Sequence, residues 1–351
     1  MIMSDISLRC NAKPDEHRER TFPQIYTDVP TQVSPEPGGI IRLETPANLF
    51  VTWTTRRLYN PKTEGTLAIR WANNGERYLE SNDGQFVVDD LSYMIFNHGQ
   101  EFSSYVESRT IVECSSVCFQ PMLVESVLRD LVLPDDRLLD DPFPDFWQPV
   151  QFVERTYRHD AIVSPLLFRL QRMRDSPNAT HGWFEEQFHS LLVAMLHVHR
   201  NVRREVELVP AARASTREEL YRRLHRARDY MEAGLYQPLT LREIAEVAWF
   251  SPHHFLRLFK QVFHETPHQY LTRRRLERAQ NLLLRTELSV TDICYTLGFE
   301  SLGSFSWMFR RHLGVSPETF RMHKGNLNSA ALQRQGESLA RPEYDLILQT
   351  K

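Results

Sequence analysis

The sequence predicts two domains: a β-barrel with appended helices in the N-terminal half, and an all-α C-terminal domain in which one short unit is used twice around a long helix. Three observations predict this. The chain has 351 residues, 41% hydrophobic and 25% charged, which is long enough for two separate cores. Between residues 40 and 119, short β-branched and aromatic runs alternate with turn sequences, whereas beyond 217 the apolar spacing is helical. Finally, 241–320 contains one pattern written twice, LREIAEVAWFSPHHFLRLFKQVFHETPHQY and VTDICYTLGFESLGSFSWMFRRHLGVSPETF. Ile244 matches Ile293, Ala245 matches Cys294 and Phe250 matches Phe299, each 49 positions apart. After one inserted residue, Phe255 matches Phe305, Phe259 matches Phe309, Pro267 matches Pro317 and Tyr270 matches Phe320. A repeat held over that many apolar positions is a structural unit used twice.

Residues 1–39 are polar and punctuated by proline, and read as a flexible arm. The segment 40–202 reads as one domain. Its strands are IIRLE, LFVTWTT, TLAIRWA, RYLES, QFVVDD, SYMIFN and TIVECSSVCF, broken at Asn60-Pro61, Asn73-Asn74-Gly75, Asn82-Asp83-Gly84 and Asn97-His98-Gly99. Many short strands at close spacing predict a sandwich or barrel. A short helix follows near MLVESVLRDLVL, then a proline-rich acidic connector over 134–160 and helices near 161–174 and 182–203. In the second, Phe184, Phe188, Leu191, Met195, Val198 and Val202 recur at steps of four and three. That spacing is a coiled-coil seam and predicts a homodimer contact; Leu192 and Leu196 widen it, which suits a helix packed on its own barrel instead. Residues 203–216, with Pro210, read as a linker, and 325–351 as a loose tail.

Over 217–324 the cap signals are dense. Thr240 with Glu243 forms a capping box, and Ser251-Pro252, Thr266-Pro267 and Ser316-Pro317 each set a cap before a first-turn proline. They predict helices near 217–233, 241–248, 252–264, 267–285, 290–297, 301–313 and 317–323. Two helix-turn-helix units result, at 241–262 and 290–313. On 252–264, Phe255, Phe259, Val262 and Phe263 share a buried face; His253, Arg257, Lys260 and His264 lie opposite, with Leu256 at the edge. An exposed donor-rich face on the second helix of such a unit is where base edges of double-stranded DNA are read, with the Arg257 fork suited to guanine. On 301–313 the outward residues are Leu302, Gly303, Ser306, Trp307 and Arg310, a more apolar face. Ser251 and Ser301 at helix starts, and Arg274 within the basic run of the connecting helix, are candidate phosphate contacts; for the basic runs the alternative is a solvated face. The connecting helix 267–285 spans ~28 Å at 1.5 Å per residue, close to the ~34 Å between successive major grooves.

The charge fits this division. The total is -3, but 217–324 carries 17 Lys and Arg against 12 Asp and Glu, leaving the rest acidic. The four cysteines fit a reducing compartment; Cys114 and Cys118 read as small buried strand residues rather than a redox pair. No charged-then-apolar leader and no apolar run of ~18 residues is seen, so a cytoplasmic protein is expected.

The segments IAEVAWFSPHHFLRLFK with Pro267 and Tyr270, ICYTLGFES, Phe305 to Arg310, and the G-V-S-P-x-x-F-R block of Gly314–Arg321 together resemble the AraC/XylS-type transcription regulators. The resemblance implies a seven-helix DNA-binding domain in which His253, Leu256 and Arg257, and then Leu302, Gly303, Ser306, Trp307 and Arg310, are base-facing. Trp307 departs from the polar or basic residue common at its place. The N-terminal half resembles the family's cupin-like sensor and dimerisation domain. That implies a small-molecule effector, for which Trp53, Trp71, Tyr93, Phe96 and Tyr105 are candidate pocket residues or else barrel core; the alternative is an N-terminal domain that only dimerises or binds a protein partner. RNA polymerase is a further implied partner. Metal-binding cupin enzymes carry His-x-His with a Glu and a later His; here His98 stands alone in its turn, so no metal, cofactor or catalytic residue is expected.

Overall fold

The computed structural model describes residues 40–44, 48–120, 123, 127, 150–176 and 179–322. The expected arm, the tail, and most of the short helix and acidic connector lie outside the described residues. Eight strands form one antiparallel sheet: β1 (Ile40–Glu44), β2 (Asn48–Glu64), β3 (Ala68–Asn73), β4 (Arg77–Ser81), β5 (Gly84–Val88), β6 (Ser92–Phe96), β7 (Glu101–Phe119) and β8 (Thr156–Arg158). Their order is β1-β2-β7-β3-β6-β8, with β4 joining β7 to β5. The long β7 organises the sheet. One edge pairs with β2 from end to end, while the other takes β4 at Phe102–Tyr105 and β3 at Glu113–Cys118. Sharing an edge between two strands curls the sheet into a cupin-like near-barrel.

Two expectations about the strands change. Asn60-Pro61 does not end β2; the strand runs through to Glu64 with register shifts at Thr55/Arg57 and Asn60/Thr63. Proline has no N–H to give the ladder, and a bulge tolerates that. At the first shift Thr55 Oγ1 donates to Arg57 O at 2.7 Å and accepts from Arg57 N at 3.1 Å, so a side chain fills the gap in the ladder. The second change is that β7 begins at Glu101, nine residues before TIVECSSVCF.

The sheet encloses an interior face and buries that part of its outer face which helices cover. The interior holds Val51, Trp53, Leu79, Phe86, Met94, Phe96, Phe102 and Cys114. Two buried arginines lie among them: Arg77 has its guanidinium 4.9 Å from the Trp53 ring and donates to Ser116 and Ser104, and Arg70 sits 4.1 Å from Phe102. The other face, with Phe50, Ile69, Trp71, Tyr93 and Val117, is covered by α1 (Ser164–Met173) and α2 (His181–Glu207).

Helix α2 settles where its apolar stripe goes. Phe184, Phe188, Leu191, Met195, Val198 and Val202 are all buried in the same core as Trp71 and Val117. The expectation that they form a dimer seam is corrected: the chain's own barrel occupies that face, and the widening by Leu192 and Leu196 matches a sheet surface rather than a single partner helix. The stripe continues through Val206 and Val209, so α2 runs past the expected linker start and only Leu208–Arg213 connects it to the next helix.

The C-terminal helices are α3 (Ala214–Ala233), α4 (Leu241–Val247), α5 (Pro252–Phe263), α6 (Pro267–Arg285), α7 (Val290–Thr296), α8 (Leu302–Leu313) and α9 (Pro317–Met322). Helix α3 lies along β5. Ion pairs cross the seam between the halves: Arg226–Asp83 (3.1 Å), Arg278–Glu76 (2.9 Å), Arg285–Asp90 (2.8 Å) and Arg158–Glu277 (3.1 Å). Asp229 of α3 also accepts from Thr156 N and Oγ1 of β8. No described helix is long and apolar enough to cross a membrane.

Candidate nucleic-acid interface

Both repeats fold through the same local chemistry. Capping boxes start α4 (Thr240 with Glu243), α6 (Thr266 with Gln269) and α7 (Ser289 with Asp292), each satisfying orphan N–H groups at a helix start. The turns superpose bond for bond. Trp249 N donates to Glu246 O and Phe250 N to Ala245 O; 49 positions later Gly298 N donates to Tyr295 O and Phe299 N to Cys294 O. The turn needs a left-handed residue, and the copies fill it differently: Trp249 at φ 58° and Gly298 at φ 73°. Trp249 is 75% exposed. It holds a bulky side chain where glycine fits without strain. The matched apolar residues Ile244/Ile293, Phe255/Phe305, Phe259/Phe309 and Tyr270/Phe320 are buried in two equivalent cores.

One residue fastens the units together. Arg275 on α6 donates to Leu235 O (2.9 Å) and Gln237 O (2.6 Å) ahead of the first unit, and to Gly298 O (3.1 Å) in the turn of the second. Nothing in the sequence sets Arg275 apart from its neighbours.

On α5 the exposed residues are His253, His254, Arg257, Lys260 and Gln261, with Leu256 half-buried between them. Arg257, Lys260 and His253 have no ion pair or side-chain hydrogen bond among the described residues. On α8 Leu302, Gly303, Ser304, Trp307, Arg310 and Arg311 are exposed and Ser306 is half-buried. Trp307 is 61% exposed, with the Arg311 guanidinium 5.2 Å from its ring. Gly303 has open space around it, leaving a shallow depression beside Ser304, Trp307 and Met308. The i, i+4 spacing of Trp307 and Arg311 was the signal that places Arg311 on this face. The two cap serines differ: Ser301 accepts from Ser304 N, while Ser251 makes no side-chain cap bond.

The basic runs behave unlike the outward faces of α5 and α8. Arg274 is 5% exposed, donates to Glu232 at 2.6 Å, and pairs also with Glu277. The expectation of a phosphate contact at Arg274 is corrected, because its guanidinium is enclosed and committed to two carboxylates. Arg273 pairs with Glu265 and Glu277, and Arg278 with Glu76 and Tyr236. Arg223 donates to Ala248 O and lies over Phe250. The basic residues of α3 and α6 therefore mostly hold the protein together.

The five candidate pocket residues do not converge. Trp71 and Tyr93 lie under the helices, Trp53 and Phe96 face the barrel interior, and Tyr105 is 40% exposed on the outer face. Alternation along a strand sends neighbouring side chains to opposite faces, which a list of aromatic residues does not record. His98 is exposed in its turn, and no cluster of three or more metal-ligating side chains occurs among the described residues.

Two short helix pairs, each with an outward second helix and bracketed on one spacer, define a helix-turn-helix DNA-binding protein. A family model described as a helix-turn-helix domain matches residues 244–323. The chain is 31% identical over 103 residues to the HTH-type transcriptional activator AarP of Providencia stuartii, covering 29% of this chain and 76% of that protein. It is 34% identical over 93 residues to the probable transcriptional regulator LumQ of Photobacterium leiognathi, covering 26% of this chain and 38% of LumQ. The match thus spans well under half the length of LumQ. A crystal structure of an AraC-type DNA-binding-domain protein from Chromobacterium violaceum is similar at 34% identity, covering 29% of this chain and 92% of that one with a TM-score of 0.29. The chain belongs to the AraC/XylS-type family of transcription regulators.

Proposed function

We propose that the chain reads a specific duplex DNA site with α5 and α8 and that a small effector acting on the N-terminal domain controls this reading. The observation that carries the proposal is a contrast among polar side chains: the arginines of α3 and α6 are mostly bound within the fold, whereas His253, Arg257 and Lys260 of α5 point outward with no partner among the described residues. In this reading Arg257 pairs with a guanine and Lys260 reaches a base or phosphate. Leu256, Leu302 and Trp307 offer apolar contact, and Ser306 and Arg310 hydrogen bonds. Gly303 lets the backbone approach, and Ser251 and Ser301 meet phosphates. The more donor-rich α5 carries more of the specificity. Effector control is supported by the seam, where spacer helix α6 is ion-paired to the barrel through Arg278 and Arg285. The working form is a homodimer that contacts RNA polymerase, using a surface other than the buried stripe of α2.

Binding of a promoter fragment tests the reading face. Arg257→Ala is expected to weaken specific binding by about 1–3 kcal/mol, roughly 5- to 150-fold, and to relax preference at one base pair. An equal loss on Arg109→Ala, an exposed barrel position, refutes the assignment.

A further inference from the structure

The seam between the barrel and the C-terminal helices is rich in paired charges, with one exception. Beside Tyr236 a cavity of about 270 Å³ opens between the outer face of the sheet and the α3–α4 turn. Its walls include Tyr78, Phe86, Tyr105, Tyr236, Glu80 and Glu107. Tyr78 and Tyr105 are register partners across β4 and β7, and their rings stack at 4.7 Å and 4°. Two residues on along each strand, on the same outer face, come Glu80 and Glu107. Because the strands are antiparallel, the two carboxylates flank the tyrosine pair from opposite ends. Neither makes an ion pair among the described residues. Arg57 faces Glu107 across the β2–β7 ladder without pairing to it, and Arg278 lies behind Tyr236 on Glu76. Among the described residues no cation lines the cavity.

We propose that this cavity binds a small alkylammonium cation and is the effector site; this rests on the effector-controlled reading above. Aromatic faces attract a weakly hydrated organic cation through their quadrupoles, and unpaired carboxylates supply the counter-charge that the protein itself does not neutralise. The volume of about 270 Å³ falls just below that of drug-sized ligand pockets, which run from ~300 Å³ upward, so the ligand is small. The Tyr105 phenol is pushed above its ordinary range by burial and then by Glu80, Glu107 and Glu76, the mark of a negative potential at the ring. Tyr236 connects the cavity to the DNA-binding helices. Its ring is part of the wall, while its hydroxyl donates to Glu76 Oε1 at 2.7 Å and accepts from Arg278 Nε at 2.8 Å. Arg278 belongs to α6, the helix that carries both reading units. A cation seated on the tyrosines holds Tyr236 against the barrel and favours the docked arrangement of α6 over any other.

The test uses the full chain, choline as the cation and 3,3-dimethylbutan-1-ol as its neutral isostere, by calorimetry at matched ionic strength, with promoter binding measured alongside. Choline is expected to bind at least tenfold more tightly than the isostere and to shift DNA affinity at least threefold. Glu80→Gln/Glu107→Gln and Tyr105→Ala are each expected to weaken choline at least tenfold with an unchanged ligand-free melting temperature. No choline binding, equal binding of the isostere, or variants that bind as wild type does would overturn the site. Choline binding that leaves DNA affinity unchanged would overturn its control role. A metabolite panel on wild type and the double variant separates the two readings. A compound that stabilises both equally and alters DNA binding sinks this site but keeps effector control, whereas a wild type silent to the whole panel sinks effector control itself.

Discussion

Replacing Arg274 by methionine separates two jobs that a basic residue on the spacer helix can have. Methionine keeps the length of the side chain and removes the charge. In the structure Arg274 is 5% exposed and donates to Glu232 at 2.6 Å and to Glu277. After the substitution Glu277 still has Arg273 at 2.8 Å and Arg158 at 3.1 Å. Among the described residues Glu232 keeps only the Tyr270 hydroxyl. One of the two carboxylates is thus left nearly bare in a buried place. Breaking a buried pair this way costs about 3–5 kcal/mol, and the compensation at Glu277 puts the expected loss near 3 kcal/mol. At ~4–8 °C per kcal/mol for a domain of about a hundred residues, the helical domain should melt at least ~10 °C lower. Binding to DNA, measured below that temperature across a salt series, should keep the wild-type slope. If Arg274 touched a phosphate instead, stability would hardly move and the slope of log K against log salt would fall by about 0.9. That second pattern would refute the account of the basic run given above.

Two further expectations follow from buried groups. Glu277 is held down to about 2: burial pushes its carboxyl up, but Arg274, Arg158 and Arg273 prevail. Its folded value lies below the ordinary 4.5, so its contribution is fully present above pH 4.5 and is lost as pH falls toward 2. The loss is about 3 kcal/mol by linkage. A Glu277→Gln protein should lose that part of the acid dependence in urea titrations, and an unchanged acid limb would count against the network. Phe188→Ala should cost about 3–5 kcal/mol, as large-to-small core changes do, with the sedimentation behaviour of the native protein unaltered. Dissociation without destabilisation would restore the seam to a subunit interface.

What could be read from the sequence divides by the range of the interactions involved. Caps are written within three residues, as in Thr240 with Glu243, and the helices of the C-terminal domain begin and end within a few residues of the expected places. The duplicated apolar positions likewise identify two cores because both copies carry the same local spacing. The barrel is less legible. The first half of β7 carries serines and glutamates among its apolar positions, and the continuation of β2 past Pro61 depends on a register that only the partner strand supplies. Helical spacing showed that α2 has an apolar face but not which surface meets it. Charge is the least legible of all. A run of arginines names no partners, and here the partners are distant: Glu232 lies 42 residues from Arg274, and Asp90 lies 195 from Arg285. The outward face of α5 was legible for the opposite reason, since a polar residue opposite a buried stripe needs no partner to be located.

The inequality of the two copies has a consequence for the DNA. In the proposed reading α5 offers His253, Arg257 and Lys260 to the duplex, and α8 offers Leu302, Trp307 and Arg310. Arg275 ties the turn of the second unit to the approach of the first, so the two cannot exchange places. A single chain therefore does not look the same when turned end for end, and on the proposed reading neither would the DNA sequence it fits. Such a site has polarity: it points along the double helix like an arrow, and reversing it in front of a gene presents the rest of the regulator to the opposite side.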